Sequence, residues 1–250
     1  MKDQSGLTIR IWRIAKRTPA LIGCPVGCLS EYFFQGVLGR LTPARRARIL
    51  QKWSGRLLRR INVRIAVEGD LPAPGLMVSN HLSYLDIMVF SSIAGTVFVS
   101  KHEVRSWPGI GWIASLSGTI YIDRTRRSDT RAIQPEMQAA LASGLRLVVF
   151  PEGTSSDGSG LLPFRSSLFQ PAVDLNTPVT AACLRYEISD GNAGEEVCYW
   201  GDHSLAPHFL NLLTKESVTV RIRFSEKPYQ FSDRKTAAKT MEEEVKKLRK

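Results

Sequence analysis

The sequence predicts an α/β fold, with a mixed sheet flanked by helices, preceded by an N-terminal region of amphipathic helices. Two observations predict this class. From about residue 65 onward, short runs rich in β-branched residues alternate with helical stretches. Before residue 65, apolar residues recur at helical spacing among arginines and lysines. We therefore expect two regions, a basic helical region over residues 1–64 and a catalytic-sized domain over 65–250.

The N-terminal region is predicted to hold two helices on either side of an apolar segment. The first covers residues 7–17 and has one apolar face, formed by Leu7, Ile11, Ile14 and Ala15. The second begins with Thr42 as N-cap and Pro43 at the first helical position. Its apolar face then follows helical spacing at Leu50, Trp53, Leu57, Leu58 and Ile61. Residues 20–38 between them contain Pro25 and Glu31, so we expect a re-entrant or interfacial segment rather than a full membrane crossing.

The positive charge of the chain is concentrated in this region. Residues 1–64 hold 14 lysines and arginines and two acidic residues, whereas the other 186 residues hold 20 basic and 21 acidic ones. Such a block favours a polyanionic partner, either nucleic acid or an anionic membrane leaflet. An apolar face opposite arginines is typical of a helix in a membrane interface, and no nucleic-acid recognition motif is present. We therefore expect membrane association at the cytoplasmic face. The alternative is that the apolar faces pack on the main domain.

The elements of the second region follow in order along the chain. Predicted strands are Leu76–Ser79, Thr96–Lys101, Thr119–Ile122, Leu145–Phe150, Val179–Leu184 and Val218–Phe224. Predicted helices are Leu85–Ile93, Arg131–Ser143, Leu205–Leu213 and about Thr236–Leu248. Strands that alternate with helices predict a sheet covered by helices.

The first chemical constellation, His81 with Asp86, follows a predicted strand directly. Within a helix this spacing would separate the side chains by roughly 140°. They meet only if His81 lies in the turn before the helix and Asp86 in its first turn. Ser83, three residues before Asp86, predicts such a start because the pair resembles a capping box. Alternatively, Asp86 serves only as a cap and His81 is an ordinary loop histidine.

The second constellation is the turn Phe150-Pro151-Glu152-Gly153-Thr154, which follows an apolar strand. Ligands of open α/β sheets bind at the carboxyl ends of strands. Gly153 allows close backbone approach, and Glu152 is a candidate acceptor of hydrogen bonds from a polar head group. The neighbouring strand delivers Arg124 to the same end of the sheet, where a guanidinium suits phosphate. The alternative is a surface turn with solvated charges.

Together these segments resemble the glycerolipid acyltransferase family, typified by the 1-acylglycerol-3-phosphate acyltransferases, over about residues 65–185. The family's His-x4-Asp motif matches His81 and Asp86, with the frequent preceding Asn at Asn80. Its Phe-Pro-Glu-Gly-Thr-Arg motif matches Phe150 to Thr154. Two further blocks resemble Lys101, Glu103, Pro108, Gly111, Gly118 and Ile122-Asp123-Arg124, and then Pro178-Val179.

The resemblance implies direct acyl transfer without an enzyme nucleophile. Asp86 orients His81, which deprotonates the acceptor hydroxyl, and backbone N–H groups near Gly153 stabilise the oxyanion. The donor is acyl-CoA or acyl-carrier protein, and no metal or redox cofactor is expected. The predicted substrate-binding residues are Lys101, Arg124, Glu152, Gly153, Thr154 and Arg165.

The acceptor predicted first is a lysophospholipid, 1-acyl-glycerol-3-phosphate, because that is the commoner activity in the family. One departure weakens this prediction, since Ser155 stands where the family usually has Arg, although Arg165 retains a cation nearby. Residues 152–158 and Trp200-Gly201-Asp202 resemble lyso-ornithine lipid acyltransferases, so that acceptor is the alternative. A non-catalytic protein that binds anionic membranes is the alternative from another class.

Overall fold

In the computed structural model, which describes residues 2–123 and 129–250, a seven-stranded sheet lies between layers of helices. The strands are β1 (Val63–Glu68), β2 (Leu76–Ser79), β3 (Thr96–Lys101), β4 (Ile120–Ile122), β5 (Arg146–Val149), β6 (Val179–Ile188) and β7 (Val218–Phe224). The helices are α1 (Lys2–Val37), α2 (Pro43–Arg60), α3 (Leu85–Ile93), α4 (Ile110–Ser117), α5 (Asp129–Ala132), α6 (Gln134–Ala142), α7 (Gln170–Asp174), α8 (Ala193–Glu196), α9 (Leu205–Thr214) and α10 (Arg234–Leu248). Two 3₁₀ helices cover His102–Ser106 and Ser166–Phe169. The predicted α/β class with a mixed sheet is confirmed.

Strand order determines where side chains gather. The order is β1-β7-β6-β2-β5-β3-β4, and the five strands from β6 to β4 are parallel neighbours. β7 is antiparallel to β6 and parallel to β1, so the sheet is mixed. The carboxyl ends of β2, β5, β3 and β4 therefore share one edge, which we call the carboxyl edge. This edge is where open α/β sheets bind ligands.

Both faces of the sheet are buried. On one face Leu58 of α2, Phe90 of α3 and Leu212 of α9 belong to a single apolar core. On the other face Met137 of α6 and Met241 of α10 belong to a second core. Because helices cover both faces, all four residues of the central strand β2 are buried.

A single helix, α1, takes the place of two features predicted for residues 7–38. The prediction of a short helix that ends near residue 17 is wrong, because Pro19 and Pro25 lie inside one continuous helix. Residues 20–37 are therefore helical, and contact of this segment with a membrane interface stays a prediction. An internal proline costs a helix about 3 kcal/mol. Packing against α2 offsets this cost, since Cys28 and Tyr32 are buried with Ile49. Among the described helices, none combines the length and apolar character needed to cross a membrane.

The second helix, α2, begins as predicted, with Thr42 accepting a hydrogen bond from the Arg45 N–H at 3.3 Å. Its apolar face, however, is turned inward. Leu58 and Ile61 are buried in the core beneath α3, and Trp53 packs against α1. The interfacial interpretation is therefore wrong for this helix, and the alternative of packing on the main domain is what the structure has.

Two N-terminal arginines hold α1 against the C-terminal end of α9. Arg17 is buried and donates to the carbonyl oxygens of Leu213 (2.8 Å) and Lys215 (2.7 Å). Arg13 donates to the Thr214 carbonyl at 2.8 Å. The last carbonyls of a helix lack intrahelical partners and carry the negative end of its dipole. Burial lowers the pKa of Arg17, with a further contribution from the charge of Arg13. Part of the basic block therefore stabilises the fold.

Several elements of the remaining chain differ from the predicted pattern: the short helices α4, α7 and α8 were not predicted, and two further differences concern β1 and the helix predicted over Arg131–Ser143. β1 was not predicted, although Val63–Glu68 contains three β-branched residues, and it pairs with β7 at the edge of the sheet. The helix predicted over Arg131–Ser143 is divided into α5 and α6. The division has a local cause, because Pro135 lies in the first turn of α6, where proline favours the start of a helix.

Candidate active site

His81 and Asp86 meet at the carboxyl edge, between β2 and α3. β2 ends at Ser79, His81 lies in the following turn, and Asp86 lies in the first turn of α3. The His81 Nδ1 and Asp86 Oδ2 atoms are 2.8 Å apart. The turn therefore provides the geometry that their spacing requires.

The Asp86 carboxylate is fully buried and has several donors. Its Oδ2 atom also accepts from the N–H groups of Leu82 (2.7 Å) and Ser83 (3.0 Å), while Oδ1 accepts from the Tyr186 hydroxyl at 2.7 Å. These bonds compensate a buried charge. The predicted capping box forms only in part, because Tyr84 is the N-cap of α3 and the Ser83 hydroxyl has no partner among the described residues.

The His81 ring is fixed on its other sides as well. It stacks on Phe150, with ring centroids 4.2 Å apart and an angle of 16° between the planes. Because Nδ1 faces the carboxylate, the neutral ring carries its proton there and Nε2 keeps a free lone pair. The side chain is 20% exposed, and none of the described residues forms a hydrogen bond with Nε2. This nitrogen is the one that can accept a proton from a substrate.

Glu152 holds the backbone around His81. It is 4% exposed, and its Oε1 and Oε2 atoms accept from the N–H groups of His81 and Leu162, both at 2.8 Å. Burial raises the pKa of the Glu152 carboxyl, and these two hydrogen bonds oppose that shift. Sequence reasoning predicted a substrate-binding residue, but both carboxylate oxygens have partners within the protein. The geometry favours a positioning role instead.

The turn that contains Gly153 supports the cation Arg165. Gly153 has a φ of +79°, and a Cβ atom there would lie 2.7 Å from Arg165 Nε, so only glycine lets this side chain cover the turn. The Gly153 N–H donates to the Phe150 carbonyl at 3.1 Å. It is therefore engaged, so oxyanion donors near Gly153, as predicted, would have to be neighbouring N–H groups rather than its own. Thr154 and Arg165 are both exposed.

The remaining predicted cations belong to β3 and β4. Lys101 is exposed at the end of β3, which lies between β5 and β4, and it is paired in register with Ile122. Its backbone therefore lies at the same edge as Gly153. Arg124, two residues after Ile122, lies outside the described residues.

The loop after β5 and the loop before α9 form backbone hydrogen bonds with the turn that contains His81. The Ser156 N–H donates to the His81 carbonyl at 3.0 Å, and the Tyr199 N–H donates to the Leu82 carbonyl at 2.7 Å. The Ser155 hydroxyl donates to the Tyr199 carbonyl. Ser155, where the family usually has a cation, is thus used inside the protein.

Sequence reasoning missed Tyr186 and the use of the Asn80 side chain. The Asn80 amide accepts from the Leu184 N–H at 2.8 Å and donates to the Leu184 carbonyl at 3.0 Å. Asn80 was visible as part of a motif, but its partner was not. Tyr186 carries no local signal, because it lies 100 residues after Asp86.

The site contains a base but no thiolate nucleophile among the described residues. Burial raises the pKa of the Cys198 thiol to about 12 and that of Cys183 to about 11. Both cysteines are therefore protonated near neutral pH. The arrangement suits a reaction in which His81 activates a substrate hydroxyl directly.

The sequence of this chain is similar to those of known proteins. The sequence pattern of the Acyltransferase family matches residues 62–185. Lyso-ornithine lipid O-acyltransferase of Pseudomonas aeruginosa is 34% identical over 207 residues, which cover 82% of this chain and 79% of that protein. The 1-acyl-sn-glycerol-3-phosphate acyltransferase of Neisseria meningitidis serogroup B is 34% identical over 165 residues, which cover 64% of each protein.

A solved structure shares the fold over nearly the whole chain. It is the crystal structure of the 1-acyl-sn-glycerophosphate acyltransferase PlsC from Thermotoga maritima, with a TM-score of 0.64 over 99% of this chain and 98% of that one. At 19% identity this similarity concerns the fold alone. The family assignment comes from the sequence matches, and on these grounds the chain belongs to the Acyltransferase family of enzymes.

Proposed function

We propose that the protein transfers a fatty acyl chain from a thioester donor to the free hydroxyl of a lysolipid, with His81 as general base. One observation carries the proposal: His81 Nδ1 lies 2.8 Å from the buried Asp86 carboxylate, which leaves Nε2 to face the substrate. The names of two relatives, each at 34% identity, support a lysolipid acceptor. Family membership argues against a non-catalytic membrane-binding protein.

The reaction begins with proton transfer from the acceptor hydroxyl to His81 Nε2. As the proton leaves, the hydroxyl oxygen attacks the thioester carbonyl carbon and forms a tetrahedral oxyanion. Asp86 stabilises the resulting imidazolium and keeps the ring oriented. When the intermediate collapses, the carbon–sulfur bond breaks, and the thiolate leaves with the proton from Nε2. The ester product and a free thiol result, whether the donor is acyl-CoA or acyl-carrier protein.

The oxyanion requires donors next to His81. Gly153 does not supply its N–H, but within the described ranges the N–H groups of Thr154 and Ser155 have no acceptor. Both belong to the loop that reaches the His81 carbonyl through the Ser156 N–H at 3.0 Å. We assign the oxyanion to this pair of backbone donors, which would act without reorganisation during the reaction.

As acceptor we propose a lyso-ornithine lipid, which reverses the order predicted from sequence. The match to the lyso-ornithine lipid O-acyltransferase covers 82% of this chain, whereas the match to the 1-acyl-sn-glycerol-3-phosphate acyltransferase covers 64%. In addition, the Ser155 hydroxyl is bonded to the Tyr199 carbonyl and offers no charge for a phosphate.

A second candidate acceptor is 1-acyl-glycerol-3-phosphate. Arg165 is exposed and lies directly over Gly153, at the same edge as Lys101. Two exposed cations at the carboxyl edge would suit a phosphomonoester. This observation keeps the phosphate acceptor as the competing candidate.

We further propose that α1 rests on an anionic membrane surface at the cytoplasmic face, where lysolipid acceptors would reach the site. Along its length, α1 exposes large apolar residues, namely Leu7, Ile9, Ile11, Trp12, Ile22, Val26, Phe33, Phe34 and Val37. Apolar side chains flanked by cations are typical of helices that lie in a membrane interface. Nucleic acid is not an expected partner.

Turnover of purified protein tests the proposal, with acyl-CoA and acyl-carrier protein as donors and the two lysolipids as acceptors. We expect lyso-ornithine lipid to have the higher kcat/KM. His81→Ala should lower acyl transfer at least roughly 100-fold, the lower range for loss of a general base. His102→Ala, which removes an exposed histidine, is the matched control and should retain turnover.

Three outcomes would change the proposal. Turnover of His81→Ala close to wild type, with the fold intact, would remove His81 from the mechanism. A preference for 1-acyl-glycerol-3-phosphate would replace the first acceptor with the second. Acylation of neither lysolipid with either donor would contradict the acceptor class.

A further inference from the structure

The Asp86 carboxylate has one partner that belongs to none of the sequence motifs. The His81 ring and two backbone N–H groups all bond to Oδ2, whereas the Tyr186 hydroxyl donates to Oδ1 at 2.7 Å. Within the described part of the chain, Tyr186 is the one residue that engages Oδ1. Without the Tyr186 hydroxyl, only Oδ2 would keep hydrogen bonds, and the carboxylate would be freer to rotate.

The backbone of β6 fixes Tyr186 relative to His81. The Asn80 side chain pairs with both the N–H and the carbonyl of Leu184, at 2.8 and 3.0 Å. Asn80 directly precedes His81, and Leu184 lies two residues before Tyr186. Residues two apart in a strand lie on the same face, and Leu184 and Tyr186 both join the core beneath α3. The residue before the base and the residue that holds its orienting acid are thus linked through one short stretch of β6.

The Tyr186 hydroxyl is a neutral donor. Burial raises its pKa, and the negative charge of Asp86 adds to this effect, so the proton stays on the oxygen near neutral pH. Among the described residues, the ionisable groups that face Asp86 and Tyr186 include Glu152 after β5, Tyr84 at the start of α3, and Cys198 before α9.

We propose that Tyr186 is a positioning residue for acyl transfer, whose hydroxyl orients the Asp86 carboxylate and sets how strongly that carboxylate binds the His81 imidazolium. This inference rests on the proposed role of His81 and Asp86 as the catalytic pair. Tyr186 has no contact with substrate in this assignment and acts through Asp86.

The inference predicts the direction of a change in pH dependence. Removing the Tyr186 hydroxyl leaves the anionic Asp86 carboxylate less stabilised. The His81–Asp86 pair then binds a proton more tightly, whether the proton is on the imidazole or on the carboxylate. The base is then lost to protonation at a higher pH. Tyr186→Phe should therefore shift the acid limb of the kcat/KM profile upward, whereas a purely structural role would leave the limb in place.

The experiment compares pH–rate profiles of wild type, Tyr186→Phe and Tyr229→Phe with acyl-CoA and lyso-ornithine lipid in mixed micelles. Tyr229 is the matched control, because it lies beside the Glu244 carboxylate, far from His81, and its backbone pairs with Val179 at the opposite end of β6. We expect kcat of Tyr186→Phe to fall about tenfold, with an unchanged acceptor KM, because only orientation of the base is impaired. Tyr229→Phe should match wild type in both profile and kcat.

Replacing Tyr186 with 3-fluorotyrosine keeps the side-chain shape and makes the hydroxyl a stronger donor. The acid limb should then move to lower pH, which tests the inference even where Tyr186→Phe fails to fold. Profiles that coincide with wild type in the folded variants would overturn the inference. His81→Ala separates this failure from that of the proposed function, since an inactive His81→Ala beside an unaltered Tyr186→Phe refutes the role of Tyr186 alone.

Discussion

Two buried carboxylates hold the His81 loop in different ways. Asp86 bonds the imidazole ring and the N–H groups of Leu82 and Ser83, whereas Glu152 bonds the backbone N–H of His81 itself. Since Glu152 also bonds Leu162, it joins the loop after β2 to the loop after β5. The position of the base thus depends on a residue that sequence reasoning assigned to the substrate.

Glu152→Gln tests this positioning role at the scale of the residue. A glutamine side chain has one acceptor oxygen and one NH₂ group, so either His81 or Leu162 would present its N–H to another donor. A buried, unsatisfied donor costs about 1–3 kcal/mol, and we expect a lower Tm together with a kcat roughly tenfold lower. Glu187→Gln, at an exposed ion pair with Arg221, should change little. An unchanged kcat with a raised acceptor KM would instead support the substrate-binding role.

The sequence predicted the catalytic pair better than it predicted the residues that position the pair. His81 and Asp86 lie close in the chain, so a turn before a helix suffices to join them. Tyr186 and Asp86 are 100 residues apart, and only the pairing of β6 with β2 brings them together. Glu152 was found through its motif, but its role depends on which N–H groups surround it, and this is a property of the folded loops.

At the scale of elements, prediction succeeded where a local pattern and the tertiary environment agree. The predicted bounds of β7 match the structure. Every second residue of this strand is buried, so the local alternation in the sequence agrees with the tertiary environment. Prediction failed for the length of α1, which continues through Pro19 and Pro25 because it packs against α2 and α9. It also failed for β1, an edge strand whose conformation depends on its partner β7.

One helix carries a pH-sensitive contact. In α9, His208 Nε2 lies 3.0 Å from the Cys198 carbonyl and Nδ1 lies 3.1 Å from the Tyr84 hydroxyl. Because Nε2 faces a carbonyl oxygen, it carries the proton and Nδ1 accepts from Tyr84. Burial lowers the pKa of His208, opposed by the hydrogen bond to the Cys198 carbonyl. The folded protein therefore favours the neutral ring.

This contact predicts how stability depends on pH. The unfolded chain protonates His208 near its ordinary pKa of 6.5, whereas the folded chain resists protonation, so stability falls as the pH drops below that value. One such group contributes at most about 1.4 kcal/mol per pH unit. Urea unfolding between pH 7.5 and 5 should show a shallower loss for His208→Gln than for wild type. His102→Gln should leave the slope unaltered, and parallel curves for wild type and His208→Gln would contradict the prediction.

At the scale of the whole molecule, the basic N-terminal block has two uses. Arg13 and Arg17 bind the end of α9, and Arg46 donates to the Leu116 carbonyl at the end of α4. Other cations of residues 1–64 remain exposed, including Arg10, Lys16, Arg40, Arg45, Arg48, Arg56, Arg59 and Arg60. The sequence pattern predicted that all of this positive charge serves membrane binding. In the structure, part of it binds the ends of helices and the rest lies on the surface.

The exposed face of α1 provides the test of membrane association. Phe33 and Phe34 are 67% and 62% exposed, so replacing both with glutamate should leave the core intact. Burial of one such side chain contributes about 1.5–3 kcal/mol, and we expect binding to anionic vesicles to weaken roughly 100-fold or more. Leu175→Glu, at an exposed apolar residue after α7, is the control and should sediment with vesicles like wild type. Wild-type binding should also weaken with salt, since the exposed cations are screened. If the double variant sediments as wild type does, α1 is not the membrane-binding face, and the acyltransfer chemistry at His81 would remain unaffected.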